Sequence, residues 1–226
     1  MLKAVFFDLG HTLTKEVDTS KKVNALLKLY NLNWKKFYSC WRNLYFLRSV
    51  GAIPNDREMF VLLKKILRQK NIPCKEIRNI IIFESHIIPE ENINVVKEIK
   101  KEYKIGLITN FVYEWLEEIF KTKKKKIKDL FDVVLVSSKI GMRKPNAEIF
   151  YLALKQLSVE PNKAVFVSDD LSSDLICAKG CGIRTIWLNK KSENKKDRKL
   201  KEIVELFPPD AVIKDLKEII PIIKNL

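Results

Sequence analysis

Four short apolar runs in this 226-residue chain lead into residues that can do chemistry. The first, residues 2–7, ends at Asp8. The second, 105–108, ends at Thr109-Asn110. Beyond the third, 133–137, comes Gly141-Met142-Arg143-Lys144-Pro145. The fourth, 164–167, ends at Ser168-Asp169-Asp170, with Asp174 a turn later. In an open parallel sheet, ligands bind at the carboxyl ends of the strands. If the runs are neighbouring strands, a carboxylate, a hydroxyl, a lysine and an acidic cluster converge on one rim. Carboxylates gather a hard cation such as Mg²⁺, which takes oxygen ligands. The cation, a lysine, a hydroxyl and backbone N–H groups can share the negative charge of a phosphate. A carboxylate held in line with phosphorus can attack it and form an acyl phosphate. Taken singly, each residue has a plainer reading. Thr109 could cap the following helix, Lys144 could be a surface lysine, and Asp169, Asp170 and Asp174 could open a solvated helix. Only their joint order points to phosphoryl transfer.

The elements that must position these residues are legible from periodicity. The runs at 2–8, 105–109, 133–137, 164–167, 185–188 and 211–213 are short and bounded by polar or turn residues, and most are rich in β-branched residues. They read as strands buried on both faces. From residue 92 onward, helical patterns alternate with them, at 92–103, 113–121, 147–157, 172–181 and 216–223. This alternation predicts an α/β fold, a Rossmann-like parallel sheet covered on both sides. Residues 15–88 differ, with helical periodicity and no clear strand. There, Trp34, Phe37, Tyr38, Trp41 and Tyr45 form one aromatic stripe, which reads as the core of a helical bundle or, in part, as the wall of a substrate pocket. Residues 50–56 are a turn cluster between two helices, and 190–199 read as a solvated connection.

Composition narrows the classes. An apolar fraction of 46% and an aromatic fraction of 10% suit a protein that buries a real core. No stretch reaches the roughly 18 uninterrupted apolar residues of a membrane helix. The chain enters a strand pattern directly after Met1, without a basic region followed by a cleavable apolar core, so a cytoplasmic location is expected. The four cysteines, Cys40, Cys74, Cys177 and Cys181, form no CxxC pair and read as buried reduced thiols. The net charge of +15 attracts phosphate-bearing ligands. Lysine is nevertheless spread along the whole chain, and its densest run, 121–128, has no interleaved aromatics. A nucleic-acid partner is therefore not expected.

The motifs carry a family resemblance. Phe6-Phe7-Asp8-Leu9-Gly10-His11-Thr12-Leu13-Thr14 resembles the first motif of the haloacid dehalogenase (HAD) superfamily, and Leu107-Ile108-Thr109-Asn110 resembles the second. Residues 141–145 with Glu148-Ile149-Phe150 resemble the third, and 165–174 with Ala178-Lys179 and Gly182 the fourth. The resemblance implies a core domain at 1–13 and 90–226 with a helical cap at 14–89, of the type that subfamily I members insert there. It implies a phosphatase of a small phosphorylated metabolite with Mg²⁺ as cofactor. Asp8 would be the nucleophile and a metal ligand, with the carbonyl of Gly10 and Asp169 as further ligands. Asp170 or Asp174 would act at one remove. Thr109 and the N–H of Asn110 would bind phosphate oxygens, and Lys144 would pair with Asp8 and the phosphate. Arg48, Arg57 and the 49–56 loop are the cap's candidates for substrate contact.

One position departs from the pattern. Most phosphatases of the superfamily carry a second Asp two residues after the nucleophile, which protonates the leaving group and later activates water. Here that position is Gly10. Such acid–base catalysis is worth ~10²–10⁴-fold. Three explanations stand. The substrate has a good leaving group; His11, adjacent and with a suitable pKa, substitutes; or the protein is a non-catalytic, basic binding or regulatory protein on this scaffold. A 2-haloacid dehalogenase is a further alternative, since those relatives also lack the second Asp, but Asp169 in the metal-ligand position argues for Mg²⁺ and phosphate.

Overall fold

The computed structural model of the chain describes residues 1–15, 17–122, 127–190 and 198–226. Six parallel strands form one sheet in the order β3-β2-β1-β4-β5-β6. They are β1 (Ala4–Phe7), β2 (Lys104–Thr109), β3 (Val133–Val136), β4 (Ala164–Ser168), β5 (Arg184–Leu188) and β6 (Ala211–Ile213). All six coincide with the runs read from the sequence. β1 and β4 are buried along their whole length, as two-sided coverage requires.

Successive side chains of a strand face opposite ways, and the two faces have separate cores. Val5, Phe7, Leu107 and Val167 belong to one apolar cluster, and Ala4, Phe6, Ile108 and Phe166 to the other. The second face is packed by α8 (Ala147–Leu157) and α9 (Ile176–Gly180), which supply Ile149, Phe150, Ala153 and Ala178. The first is packed by α5 (Glu90–Ile99), α6 (Tyr113–Thr122) and α11 (Ile219–Ile223). Two shorter or peripheral helices, α7 (Ser137–Ile140) and α10 (Arg198–Leu206), complete the surroundings of the sheet. A Cβ at Gly106 would lie 2.2 Å from the Phe6 ring, so glycine there lets Phe6 fill the sheet surface.

Between β1 and α5 lie α1 (Ser20–Lys28), α2 (Trp34–Ser49), α3 (Asp56–Leu67) and α4 (Cys74–Arg78), with no strand among the described residues there. Asn33 and Asn55 cap α2 and α3 by accepting from main-chain N–H groups. These helices share the first sheet face's cluster, through Val23, Leu27, Phe37, Trp41, Met59 and Leu63. Of the aromatic stripe, Trp41 and Tyr45 stack on Trp115 of α6, at 6.4 and 5.8 Å between ring centroids. Tyr38 lies on the exposed side. The stripe is thus partly a joint to the sheet layer and not solely the core of a bundle. The two chain crossings at the base of the insertion are tied together, since Lys15 N–H donates to the Ile87 carbonyl at 2.8 Å and Asn92 Nδ2 to the Leu13 carbonyl at 2.9 Å. The expected connection at 190–199 and the lysine run at 121–128 fall largely outside the described residues.

Candidate active site

The strand order reverses around β1, where β2 leaves to one side and β4 to the other. A crevice at such a switch point is where open α/β sheets bind ligands. Asp8 follows β1 and Asp169 follows β4, and the Asp8 N–H donates to the Val167 carbonyl at 3.0 Å. Lys144 stands between two carboxylates. Its Nζ lies 2.6 Å from Asp8 Oδ1 and 2.5 Å from Asp174 Oδ2. Ser168 Oγ donates to the same Asp174 oxygen at 2.8 Å. All three charged residues are buried.

That burial sets the electrostatics. Removal from water pushes Asp8 above the ordinary carboxylate range, with the Lys144 ammonium working the other way. Asp174 is pushed up to about 6, again by burial first, against Lys144. Burial also works against the charge of Lys144, but Asp8 and Asp174 outweigh it and hold the ammonium above its usual value. Asp169 is raised by burial, with His11 and Thr12 opposing.

Asn110 sets where Lys144 stands. Its Oδ1 accepts from the Lys144 N–H and its Nδ2 donates to the Lys144 carbonyl, both at 2.9 Å. Thr109 beside it is buried. The capping role considered for Thr109 falls to another residue, because Ser138 Oγ accepts from the Tyr113 N–H that opens α6, at 2.8 Å.

The loop after Asp8 is a wide turn, closed by Thr14 N–H donating to the Leu9 carbonyl at 3.0 Å. Gly10 within it has φ −63° and ψ 131°, a conformation open to any residue, whereas His11 has φ 52°. A Cβ at Gly10 would meet only Asp8 Oδ2, at an ordinary 3.8 Å. Thr12 ties this loop to β4: its Oγ1 accepts from the Asp169 N–H at 3.1 Å and donates to Asp169 Oδ1 at 3.3 Å. The two carboxylates are close enough that Asp169 raises Asp8. Lys144 takes Asp8 Oδ1 and leaves Oδ2 facing the open space at Gly10. Among the described residues no group of three or more His, Cys, Asp or Glu side chains is arranged around a common ion. Two carboxylates and a neighbouring main-chain carbonyl form an incomplete oxygen set, and Mg²⁺ commonly uses such a set together with phosphate oxygens and water.

Other expected residues lie elsewhere. Asp170 is exposed, and its carboxylate accepts from the N–H groups of Ser172 and Ser173, at 3.0 and 2.9 Å, and from both hydroxyls. Asp174, and not Asp170, therefore reaches Lys144. Arg48 is buried in ion pairs with Glu114, at 2.8 Å, and Asp56, at 3.5 Å. Arg57 is exposed in the first turn of α3. Neither arginine contacts Asp8 or Lys144.

Three residues without an assigned role stand at this rim. Tyr45 Oη donates to the Asn110 carbonyl at 3.1 Å, and burial raises its pKa, with Arg143 lowering and Asp8 raising it. Arg143 Nη1 donates to Ser49 Oγ at 3.2 Å, and the guanidinium lies 4.6 Å from the centre of the Phe46 ring. His86 packs 4.9 Å from Phe111, ring to ring, and its Nδ1 lies 2.8 Å from the Ile82 carbonyl. The aromatic stripe signalled Tyr45, and Arg143 adjoins Lys144. His86 had no signal beyond being one of two histidines.

The comparisons with known proteins bear on the family and the fold. Residues 5–188 match the model of a family described as haloacid dehalogenase-like hydrolase. A glyceraldehyde 3-phosphate phosphatase from Pyrococcus furiosus is 27% identical, over 99% of this chain and 94% of its own. Among solved structures, a mutant HAD family enzyme from Bacteroides thetaiotaomicron, in complex with magnesium and inorganic phosphate, superposes with a TM-score of 0.72. That likeness covers 88% of this chain and 100% of the other, at 18% identity. The L-2-haloacid dehalogenase of Xanthobacter autotrophicus shares the fold with a TM-score of 0.69 over 100% of both chains, also at 18% identity.

Proposed function

Because this chain belongs to the haloacid dehalogenase-like hydrolase family, we propose that it is a Mg²⁺-dependent phosphatase of a small phosphorylated metabolite, with Asp8 as nucleophile. Residues 1–13 and 90–226 would be its core domain and 14–89 its helical cap. The observation that carries this reading is the bridge from Lys144 to Asp8 and Asp174, at 2.6 and 2.5 Å, on the rim that also holds Thr109 and Asp169. The Pyrococcus furiosus relative supports the reaction class.

Asp8, the Gly10 carbonyl and Asp169 would hold a Mg²⁺ ion, which would supply positive charge against the phosphate so that an anionic nucleophile can approach it. The chain's own groups do the rest. Lys144 favours the ionised form of Asp8 against the effect of burial and neutralises a phosphate oxygen. Thr109 and the Asn110 N–H hold two more oxygens. Asp8 attacks phosphorus, the ester oxygen departs, and an aspartyl phosphate forms. Water then attacks that phosphorus and frees both Asp8 and inorganic phosphate. Gly10 has no carboxyl group to protonate the departing oxygen, so the reading favours phosphates whose leaving group is stable as an anion.

The dehalogenase alternative draws on the missing carboxyl at Gly10 and on fold likeness, and Asp169 beside Asp8 favours the phosphatase. Hydrolysis of p-nitrophenyl phosphate with and without Mg²⁺, in the wild type and in Asp8→Asn, tests the reading. Metal-dependent turnover that vanishes in Asp8→Asn is expected. No turnover in Mg²⁺, together with salt-sensitive RNA binding, would favour a non-catalytic basic binding protein.

A further inference from the structure

The interface between the insertion and the sheet layer contains three arginines that are buried or half-buried, and they are neutralised differently. Arg48 pairs with Asp56 and Glu114, and Arg78 pairs with Asp56 and Glu118. Arg143 has no carboxylate partner among the described residues. It is held by two neutral groups, the Ser49 hydroxyl at 3.2 Å and the Phe46 ring at 4.6 Å. A guanidinium carries five N–H donors in a planar fork, and only one of them is used here. Burial works against its charge, and Tyr45 and Asp174 only partly offset that effect. The side chain is thus oriented but not neutralised, and it adjoins the lysine that bridges the two site carboxylates.

From this contrast we propose that Arg143 is a specificity residue that binds a carboxylate on the substrate, while the phosphate lies at Asp8 and Lys144. The inference rests on the phosphatase reading and narrows its substrate class to phosphorylated carboxylic acids. Arg143 is close enough to Asp174, which Lys144 also contacts, for the two to interact, so the two anionic groups would share one site. The planar fork suits a planar carboxylate, which it can bind through two parallel hydrogen bonds. Tyr45 does not compete, because its hydroxyl proton is committed to the Asn110 carbonyl. Ser49 acts as a positioning residue: its hydroxyl donates to the Phe46 carbonyl at 2.8 Å and accepts from Arg143.

Two phosphonates that cannot be hydrolysed test this on the full chain with Mg²⁺, by calorimetric titration. Phosphonopropionate carries the carboxylate, and propylphosphonate lacks it. Hydrogen bonds to charged groups predict that the first binds about 10- to 100-fold more tightly. Arg143→Leu should bring the ratio close to one, and Arg143→Lys, which keeps the charge and loses the fork, should leave an intermediate preference. Equal binding of both ligands by the wild type overturns the proposal, as does a preference that survives Arg143→Leu. Turnover of p-nitrophenyl phosphate, measured in parallel, reports on the phosphatase reading separately, since the binding ratio does not depend on hydrolysis.

Discussion

Gly10 occupies the position where a carboxyl group would serve the leaving group, and its own geometry does not call for glycine. Its φ of −63° is ordinary and a Cβ there meets nothing closer than 3.8 Å. Gly10→Asp should therefore be accepted without distortion. If leaving-group protonation limits the enzyme, this substitution should raise kcat for alkyl phosphates by up to ~10²-fold and for p-nitrophenyl phosphate by much less. An equal gain for both, or none, would mean that another step limits turnover. His86 offers a second test at this scale. Burial lowers its pKa from 6.5 to about 4, with the Ile82 carbonyl opposing and His11 adding to the shift. A histidine whose pKa falls on folding contributes stability above its unfolded pKa and loses that contribution as the pH drops through the folded value. His86 should thus destabilise the protein between pH 6.5 and 4, by at most ~3 kcal/mol. Chemical denaturation of wild type and His86→Gln at pH 7.5 and 4.5 measures it. The variant should show the shallower pH dependence, and parallel curves would rule out the buried neutral imidazole.

At the scale of elements, the joint between the insertion and the sheet layer is built on Asp56. This residue opens α3 and accepts from Arg78 at 2.6 Å and from Trp115 Nε1 at 2.9 and 3.0 Å, with Arg48 at 3.5 Å. Asp56→Ala removes the shared partner of two buried guanidiniums and leaves their charge less compensated. The loss of stability is expected to be ~3 kcal/mol by urea denaturation, and a loss below ~1 kcal/mol, the value of an exposed pair, would show that solvent already supports these arginines. The joint also marks where the sequence stopped being legible. The strands were readable because most are buried runs bounded by polar residues, although β6 is buried only at Ile213, and the rim residues because they follow strands in a fixed order. Arg48 looked like a substrate contact because sequence neighbours do not show that Asp56 and Glu114, 8 and 66 residues away, neutralise it. Asp170 and Asp174 were equivalent in sequence, and only the Asp170 cap over Ser172 and Ser173 turns one away from Lys144. Arg143 was visible within its motif, but that no carboxylate among the described residues pairs with it is a property of the folded joint.

At the scale of the whole molecule, the net charge of +15 acts on every element at once. Two effects of salt oppose each other. Screening weakens exposed ion pairs such as Lys22–Glu84 and Lys101–Glu98, both at least 44% exposed, and such pairs contribute about 0–1 kcal/mol each. Screening also weakens the mutual repulsion of the excess cations, which favours the compact state. With 43 Lys and Arg against 28 Asp and Glu, at least 15 of the basic residues cannot each have a carboxylate of their own. Repulsion should therefore dominate, and Tm should rise as NaCl is increased from ~0.01 to ~0.3 M, over which the screening length falls from about 30 Å to below 10 Å. The rise should be larger at pH 5 than at pH 8, because carboxylates that begin to protonate leave the positive excess greater. Chloride suits the measurement better than sulfate, which resembles phosphate and could stabilise the fold by occupying the site at Lys144. A Tm that falls with NaCl at both pH values would mean that ion pairs outweigh repulsion and that the lysines are arranged more favourably than their number implies.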